Sequence, residues 1–214
     1  MRKTLFILTI LIFQQNLYSQ KEIVGKVEFY KSVESEYRIL ESFPDGTIKN
    51  LTNRKHKIKI EQKDSISEIV TDSTGIFKFT TDLKKIIRIK VNDHSPVLNE
   101  TFEFDFNEIR DTLKLRISDK KLAVYRDSIA EPEFYKLYSE KQAELDFENG
   151  IRRVFGGGGF LADETYKRNK LLAKKYNLKY EYLFGCIVER NKIRIINRYN
   201  EVMKKLIGIK ENVW

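Results

Sequence analysis

Between residues 57 and 117 the chain alternates apolar and polar side chains with a period of two. Lys57-Ile58-Lys59-Ile60 does so strictly, and Phe102, Phe104 and Phe106 share one side of a segment whose other side carries Glu103 and Asp105. Successive side chains of a strand point to opposite faces, so this pattern dictates strands with one buried and one wet face. Segments of this kind occupy residues 23–30, 57–60, 67–71, 76–80, 86–91, 101–106 and 112–117. Asp72-Ser73-Thr74-Gly75 separates two of them and predicts a hairpin in which Gly75 supplies the positive φ. Phe43-Pro44-Asp45-Gly46 marks a turn within the long interval 31–56. Short strands with turn signals over about 100 residues predict an antiparallel β-sandwich spanning residues 20–118.

Near Asp119 the period changes from two to that of a helix. Pro132 suits the first position of a helix and Asn149-Gly150 its end, with Phe134, Leu137, Tyr138 and Leu145 at helical spacing between them. A short strand is predicted at 151–155. A helix follows, opened by Asp163-Glu164 and closed by Lys174-Lys175 in the sense of the helix dipole. Another strand is predicted at 180–188, then a final helix whose apolar stripe is Ile195, Ile196, Tyr199, Val202, Met203, Leu206 and Ile207. The order helix–strand–helix–strand–helix predicts a small α/β layer with parallel strands over residues 119–214. The fold class is thus α+β: a β-sandwich followed by a small α/β module.

Charge follows the same division. Residues 21–118 hold 18 basic and 17 acidic residues, 119–150 hold 5 and 8, and 151–214 hold 15 and 6, so the last block carries the excess behind the net charge of +9.

Val24-Gly25-Lys26-Val27-Glu28-Phe29, followed by Val70-Thr71-Asp72-Ser73-Thr74-Gly75-Ile76-Phe77, resembles the carboxypeptidase regulatory-like domain, a transthyretin-like β-sandwich. The matching positions are Gly25, Val27, Thr71, Asp72, Gly75 and Phe77, and the resemblance covers about residues 21–118. The family's usual Pro-Leu-x-x-Ala segment is absent, and the interval 31–56 stands in its place. The resemblance implies an accessory module without peptidase chemistry, serving as scaffold, spacer or binding surface. About residues 140–208 resemble the C-terminal part of uncharacterised exported proteins of Bacteroidota-type bacteria, which implies a shared fold and export but no activity.

The first residues fit export. Arg2 and Lys3 precede an apolar run from Leu5 to Phe13, and Leu17-Tyr18-Ser19 resembles a cleavage site, the layout of a signal peptide over residues 1–19. The run is too short to cross a bilayer, and no later stretch predicts a transmembrane segment in the mature chain. The expected location is the periplasm, the cell surface or the medium. One cysteine cannot form an intrachain disulfide, so the fold relies on its core.

Candidate chemistry is sparse. Gly157-Gly158-Gly159-Phe160-Leu161-Ala162 matches the G-x-G-x-x-A pattern of dinucleotide sites, with Glu181 19 residues on. Only one strand–helix–strand unit is present, Glu181 falls at the wrong end of its strand, and a run of four glycines satisfies such patterns by chance. The Gly156–Gly159 loop is therefore read as a flexible or tightly packed turn. Cys186 has apolar neighbours and is read as a buried small hydrophobe. His56 and His94 lie in polar stretches and are read as solvated loop residues. Glu34, Glu36, Glu41, Asp105, Glu108 and Asp111 are read as loop charges. No catalytic residue, cofactor or metal is assigned.

Arg194, Arg198 and Lys205 are spaced to share the polar side of the last helix, and Arg152 and Arg153 adjoin the first strand of the module. These five form the candidate anion-contact face. Part of this charge is expected to dock against the acidic stretch 119–150, and the rest to meet anionic envelope polymers or lipid headgroups. Export argues against nucleic acid. The reading is an exported, non-enzymatic binding or structural protein of the cell envelope with an unidentified protein or glycan partner. Its rivals are a secreted hydrolase with a site between the two parts, and a basic interaction module for anionic polymers.

Overall fold

The computed structural model describes residues 21–33, 39–43, 45–63, 65–81, 86–105, 109, 112–157, 162–184 and 189–209. It is a mixed α/β protein that divides into two compact units, Met1–Leu122 and Ala123–Trp214.

The alternating segments of the first unit form strands β1 (Lys21–Tyr30), β2 (Lys57–Gln62), β3 (Ser65–Val70), β4 (Ile76–Thr81), β5 (Ile86–Val91), β6 (Glu100–Asp105) and β7 (Thr112–Ser118). They make a three-stranded sheet, β4-β1-β7, and a four-stranded sheet, β3-β2-β5-β6. Inward residues of both sheets join one apolar cluster: Ile23, Val27, Phe77, Phe79, Leu113, Leu115 and Ile117 from the first, and Ile58, Ile60, Ile87, Ile89 and Val91 from the second. Apart from Ile86 and Thr101, the outward residues of β2, β5 and β6 are charged, and several pair across strands, as in Arg88–Glu103 at 2.6 Å and Lys90–Glu61 at 2.6 Å. Phe102 and Phe104 stack on the inner side of β6 as the alternation predicts; Phe106 lies outside the described residues.

Two expectations for the strands of this unit are corrected. The strands are not all antiparallel: β1 runs antiparallel to β4 but parallel to β7. Nor do β3 and β4 form a hairpin, because β3 pairs with β2 and β4 with β1. The Asp72–Gly75 turn carries the chain from one sheet to the other. The Asp72 carboxylate accepts from Thr74 N, Thr74 Oγ1 and Ile76 N at 2.7–2.9 Å. Gly75 takes φ +83°, and its carbonyl accepts from Val27 N at 2.9 Å. A Cβ at Gly75 would stand 2.7 Å from the Val27 carbonyl oxygen. The turn is thus fastened to β1, which steers the following strand onto β1 and away from β3.

The interval 31–56 contains two short helices, α1 (Ile39–Ser42) and α2 (Asp45–Thr52), so Asp45 and Gly46 begin a helix where a turn was expected; Pro44 lies outside the described residues. Helix α3 (Asp119–Ala130) starts where β7 ends, and the division between the units falls within it. The fully buried Asp119 carboxylate accepts from Ser32 N at 2.7 Å and Leu40 N at 3.4 Å.

The single helix expected from Pro132 to Gly150 is two, α4 (Pro132–Tyr138) and α5 (Glu140–Glu148), broken at Ser139. Ser139 takes an extended backbone, φ −73° and ψ 166°, and its Oγ accepts from Gln142 N, capping α5. Strands β8 (Arg153–Gly157) and β9 (Lys179–Phe184) are parallel, as the connection through α6 (Ala162–Lys175) requires. Helix α7 (Arg190–Ile207) closes the unit. From its predicted stripe Ile195, Ile196, Tyr199 and Met203 are buried and Leu206 is exposed. Phe155, Ala143, Ala173, Leu178 and Tyr180 complete the core against three of these, Ile196, Tyr199 and Met203.

Candidate anion-binding groove

The five cations of the predicted contact face are not brought together. Arg198 is 2% exposed, and its guanidinium reaches Asp127 Oδ2 at 2.9 Å and Glu140 Oε1 at 3.1 Å. Arg194 forks onto the same Asp127 carboxylate, Nη2 to Oδ1 at 2.6 Å and Nε to Oδ2 at 3.0 Å. The expected docking onto the acidic stretch thus draws both arginines inward. Burial pushes the Asp127 carboxyl up, and the Arg198 and Arg126 guanidiniums oppose that. Arg153 binds Asp146 at 2.8 Å, and its Nη1 lies 3.8 Å from Glu181. Burial would raise the Asp146 carboxyl, but hydrogen bonds from Tyr199, Gln142 and Arg153 outweigh it and hold the group below the usual range. Arg152 is exposed over the Phe147 ring, 5.4 Å from its centroid, and Lys205 is exposed in the last turn of α7.

His56 corrects the reading of a solvated loop residue. It is 1% exposed, its Nδ1 lies 3.0 Å from Asn92 Nδ2, and its ring tilts against Phe29 at 5.7 Å. Burial, helped by the Arg54 charge, lowers its pKa to about 4. His94 is exposed, as are Glu41 and Asp105. Cys186, Glu34, Glu36, Glu108 and Asp111 lie outside the described residues, as do residues 1–19. Among the described residues no three His, Cys, Asp or Glu side chains gather to hold a metal, and no helix is long and apolar enough to cross a membrane.

The glycine run resolves in part. Gly156 lies in β8 under the Tyr180 side chain, where an added Cβ would come 1.8 Å from the Tyr180 hydroxyl oxygen and 2.6 Å from Cζ. Packing therefore demands glycine there. Gly158, Gly159, Phe160 and Leu161 lie outside the described residues. Glu181 pairs with Lys179 at 3.1 Å.

A concavity of this unit lies elsewhere, between α6 and β9. A groove of ≈ 850 Å³ is lined by Tyr166, Lys167, Lys170, Leu171, Lys174 and Lys179, with Leu178 and Tyr180 behind them. Tyr166 anchors its wall: its ring tilts against Tyr180 at 5.8 Å and meets Tyr182 edge-on at 5.7 Å, while Lys170 Nζ sits 5.5 Å above it. Ala173 and Asn169 turn inward from the same helix and fix its orientation, leaving the lysines outward. Among the described residues no carboxylate lies within ion-pair distance of Lys170 or Lys174; Lys179 alone of the lining cations has Glu181. Lysine spacing of i, i+3, i+7 on a predicted helix was the available signal for this wall.

No protein-family model matches the chain, and no curated protein matches it.

Proposed function

We propose that the chain is an exported, non-enzymatic binding protein of the bacterial cell envelope whose C-terminal unit holds anionic partners through the α6/β9 groove. Those partners are envelope polymers or lipid headgroups. In this reading the N-terminal unit is a carboxypeptidase regulatory-like β-sandwich that serves as scaffold. Two sheets contributing to one apolar cluster support a sandwich, and the matching positions Gly25, Val27, Thr71, Asp72, Gly75 and Phe77 support the family. The basic start, apolar run and small residue at Ser19 support export.

The groove carries the functional reading. Four lysines border one concavity within a block of strongly positive composition. Lysine presents a point charge on a flexible stem, without the planar fork of arginine, so such a site selects negative charge density over shape. Two arginines of the unit, Arg194 and Arg198, have their forks held by Asp127 and Glu140.

Chromatography of the chain without residues 1–19 on immobilised heparin tests this. Retention is expected, with elution as salt rises. The pair Lys170→Gln/Lys174→Gln should elute at lower salt, and Lys205→Gln on α7 should elute with wild type. Passage without retention at low salt, or elution unaffected by the two α6 substitutions, defeats the reading.

A further inference from the structure

We propose that the outward face of α6 rests on a bilayer carrying anionic lipids, with Leu171 inserted at headgroup level. This builds on the anion-binding reading above and names the occupant. At about 100° per residue, Lys170, Lys174, Lys167, Leu171, Lys175 and Arg168 follow one another around an arc of about 160°, with Leu171 near its middle. All six are exposed, and the buried Asn169 and Ala173 lie on the opposite side. Leu171 is 71% exposed, the most exposed large hydrophobic of this unit among the described residues.

That leucine decides between the two kinds of anionic partner. A soluble polyanion satisfies the cations but leaves an apolar side chain in water. A bilayer interface satisfies both, because headgroup phosphates meet the ammonium groups while Leu171 leaves water. The flanking lysines carry four-carbon stems that lie along apolar surface while their ends stay with the phosphates. Acidic residues of the helix, Asp163 and Glu164, sit in its first turn, before the basic arc begins. From Lys167 to Lys175 the arc runs about 12 Å along the axis, long enough for more than one headgroup.

Co-sedimentation of the chain without residues 1–19 with vesicles tests the proposal, one set of phosphatidylcholine and one with a third phosphatidylglycerol. Binding is expected to the second set alone. Each α6 lysine changed to glutamine should weaken partitioning about fivefold, and Leu171→Ala roughly tenfold. Leu171 is exposed in the free protein, so this substitution leaves folding intact. Leu171→Ala removes no charge and should lower heparin retention less than Lys170→Gln/Lys174→Gln does. In Leu171→Trp/Trp214→Phe, tryptophan emission should shift to the blue when anionic vesicles are added. Heparin retention without vesicle binding overturns the lipid proposal and leaves the anion reading standing. Failure on both overturns both. Vesicle binding indifferent to Leu171→Ala, with no emission shift, overturns the inserted leucine and with it the choice of a bilayer.

Discussion

The Asn200 carboxamide on α7 brackets the Phe155 peptide of β8: its Oδ1 accepts from Phe155 N at 2.8 Å and its Nδ2 donates to Phe155 O at 2.7 Å. A side chain here does the work of a neighbouring strand. Among the described residues the sheet has two strands, and β8 has β9 on one side. Asn200 closes the other side at Phe155, where both backbone groups are buried. Asn200→Leu removes both bonds and orphans a buried donor and a buried acceptor, so a loss of about 2–4 kcal/mol is expected. Urea denaturation followed by circular dichroism measures it, and a loss below about 0.5 kcal/mol contradicts the bracket.

Asp127, Arg198 and Arg194 provide a second test of the C-terminal unit. Arg198→Ala leaves a fully buried carboxylate short of one partner, with an expected cost of about 3–5 kcal/mol. Asp127→Leu/Arg198→Met replaces charge by apolar volume and should recover a large part of that loss. A double-mutant cycle in urea gives the coupling. Additive losses would mean that the two charges do not act as a pair.

His56 links the N-terminal unit to pH. Its folded pKa, about 4, lies below the ordinary value near 6.5 because burial disfavours the charged ring. A group depressed in the folded state contributes stability that is fully present above pH 6.5 and is lost as pH falls toward 4. The shift corresponds to about 3 kcal/mol across that window. Geometry adds to this, since a protonated Nδ1 would point a donor at the Asn92 amide, and Nε2 finds no hydrogen-bond partner among the described residues. His56→Gln keeps an acceptor for Asn92 without the titration, and its stability should change less between pH 7 and 5 than that of wild type. Parallel pH profiles of the two proteins, taken by chemical denaturation, would remove His56 as the cause.

What the residues announced in advance, and what they withheld, follows from the range of each interaction. The strands were legible because alternation is local: Ile58, Ile60, Phe102 and Phe104 declare their inward side within their own segment. Their distribution between two sheets was not, since it depends on a bond from Val27 to Gly75, 48 residues apart in sequence. The break at Ser139 was legible in principle. Ser139 and Gln142 have the spacing of a capping box, but the apolar series Phe134, Leu137, Tyr138, Leu145 runs across it and suggests one continuous helix. His56 read as solvated, and Arg198 as part of a contact face, because their partners, Asn92 and Asp127, are far along the chain. The α6 lysines needed only helical geometry to be placed on one face, whereas the groove beside them needed β9.

Gly156 and Tyr180 give the sharpest test of what the glycine run is for. If the run serves packing, the harm done by a side chain at 156 resides in the tyrosine above it. Gly156→Ala would place Cβ inside the Tyr180 ring contact, and the expected cost is about 1–3 kcal/mol from overpacking. Tyr180→Ala removes a buried ring and its bond from Asn169, at about 3–5 kcal/mol by itself. In that background the space above residue 156 is empty, and Gly156→Ala should cost little, because alanine loses less conformational freedom than glycine on entering a strand. Urea midpoints of the four proteins supply the coupling. An equal cost of Gly156→Ala with and without the Tyr180 ring would show that the glycine answers to something other than packing, and would return the loop to consideration as a ligand-binding turn.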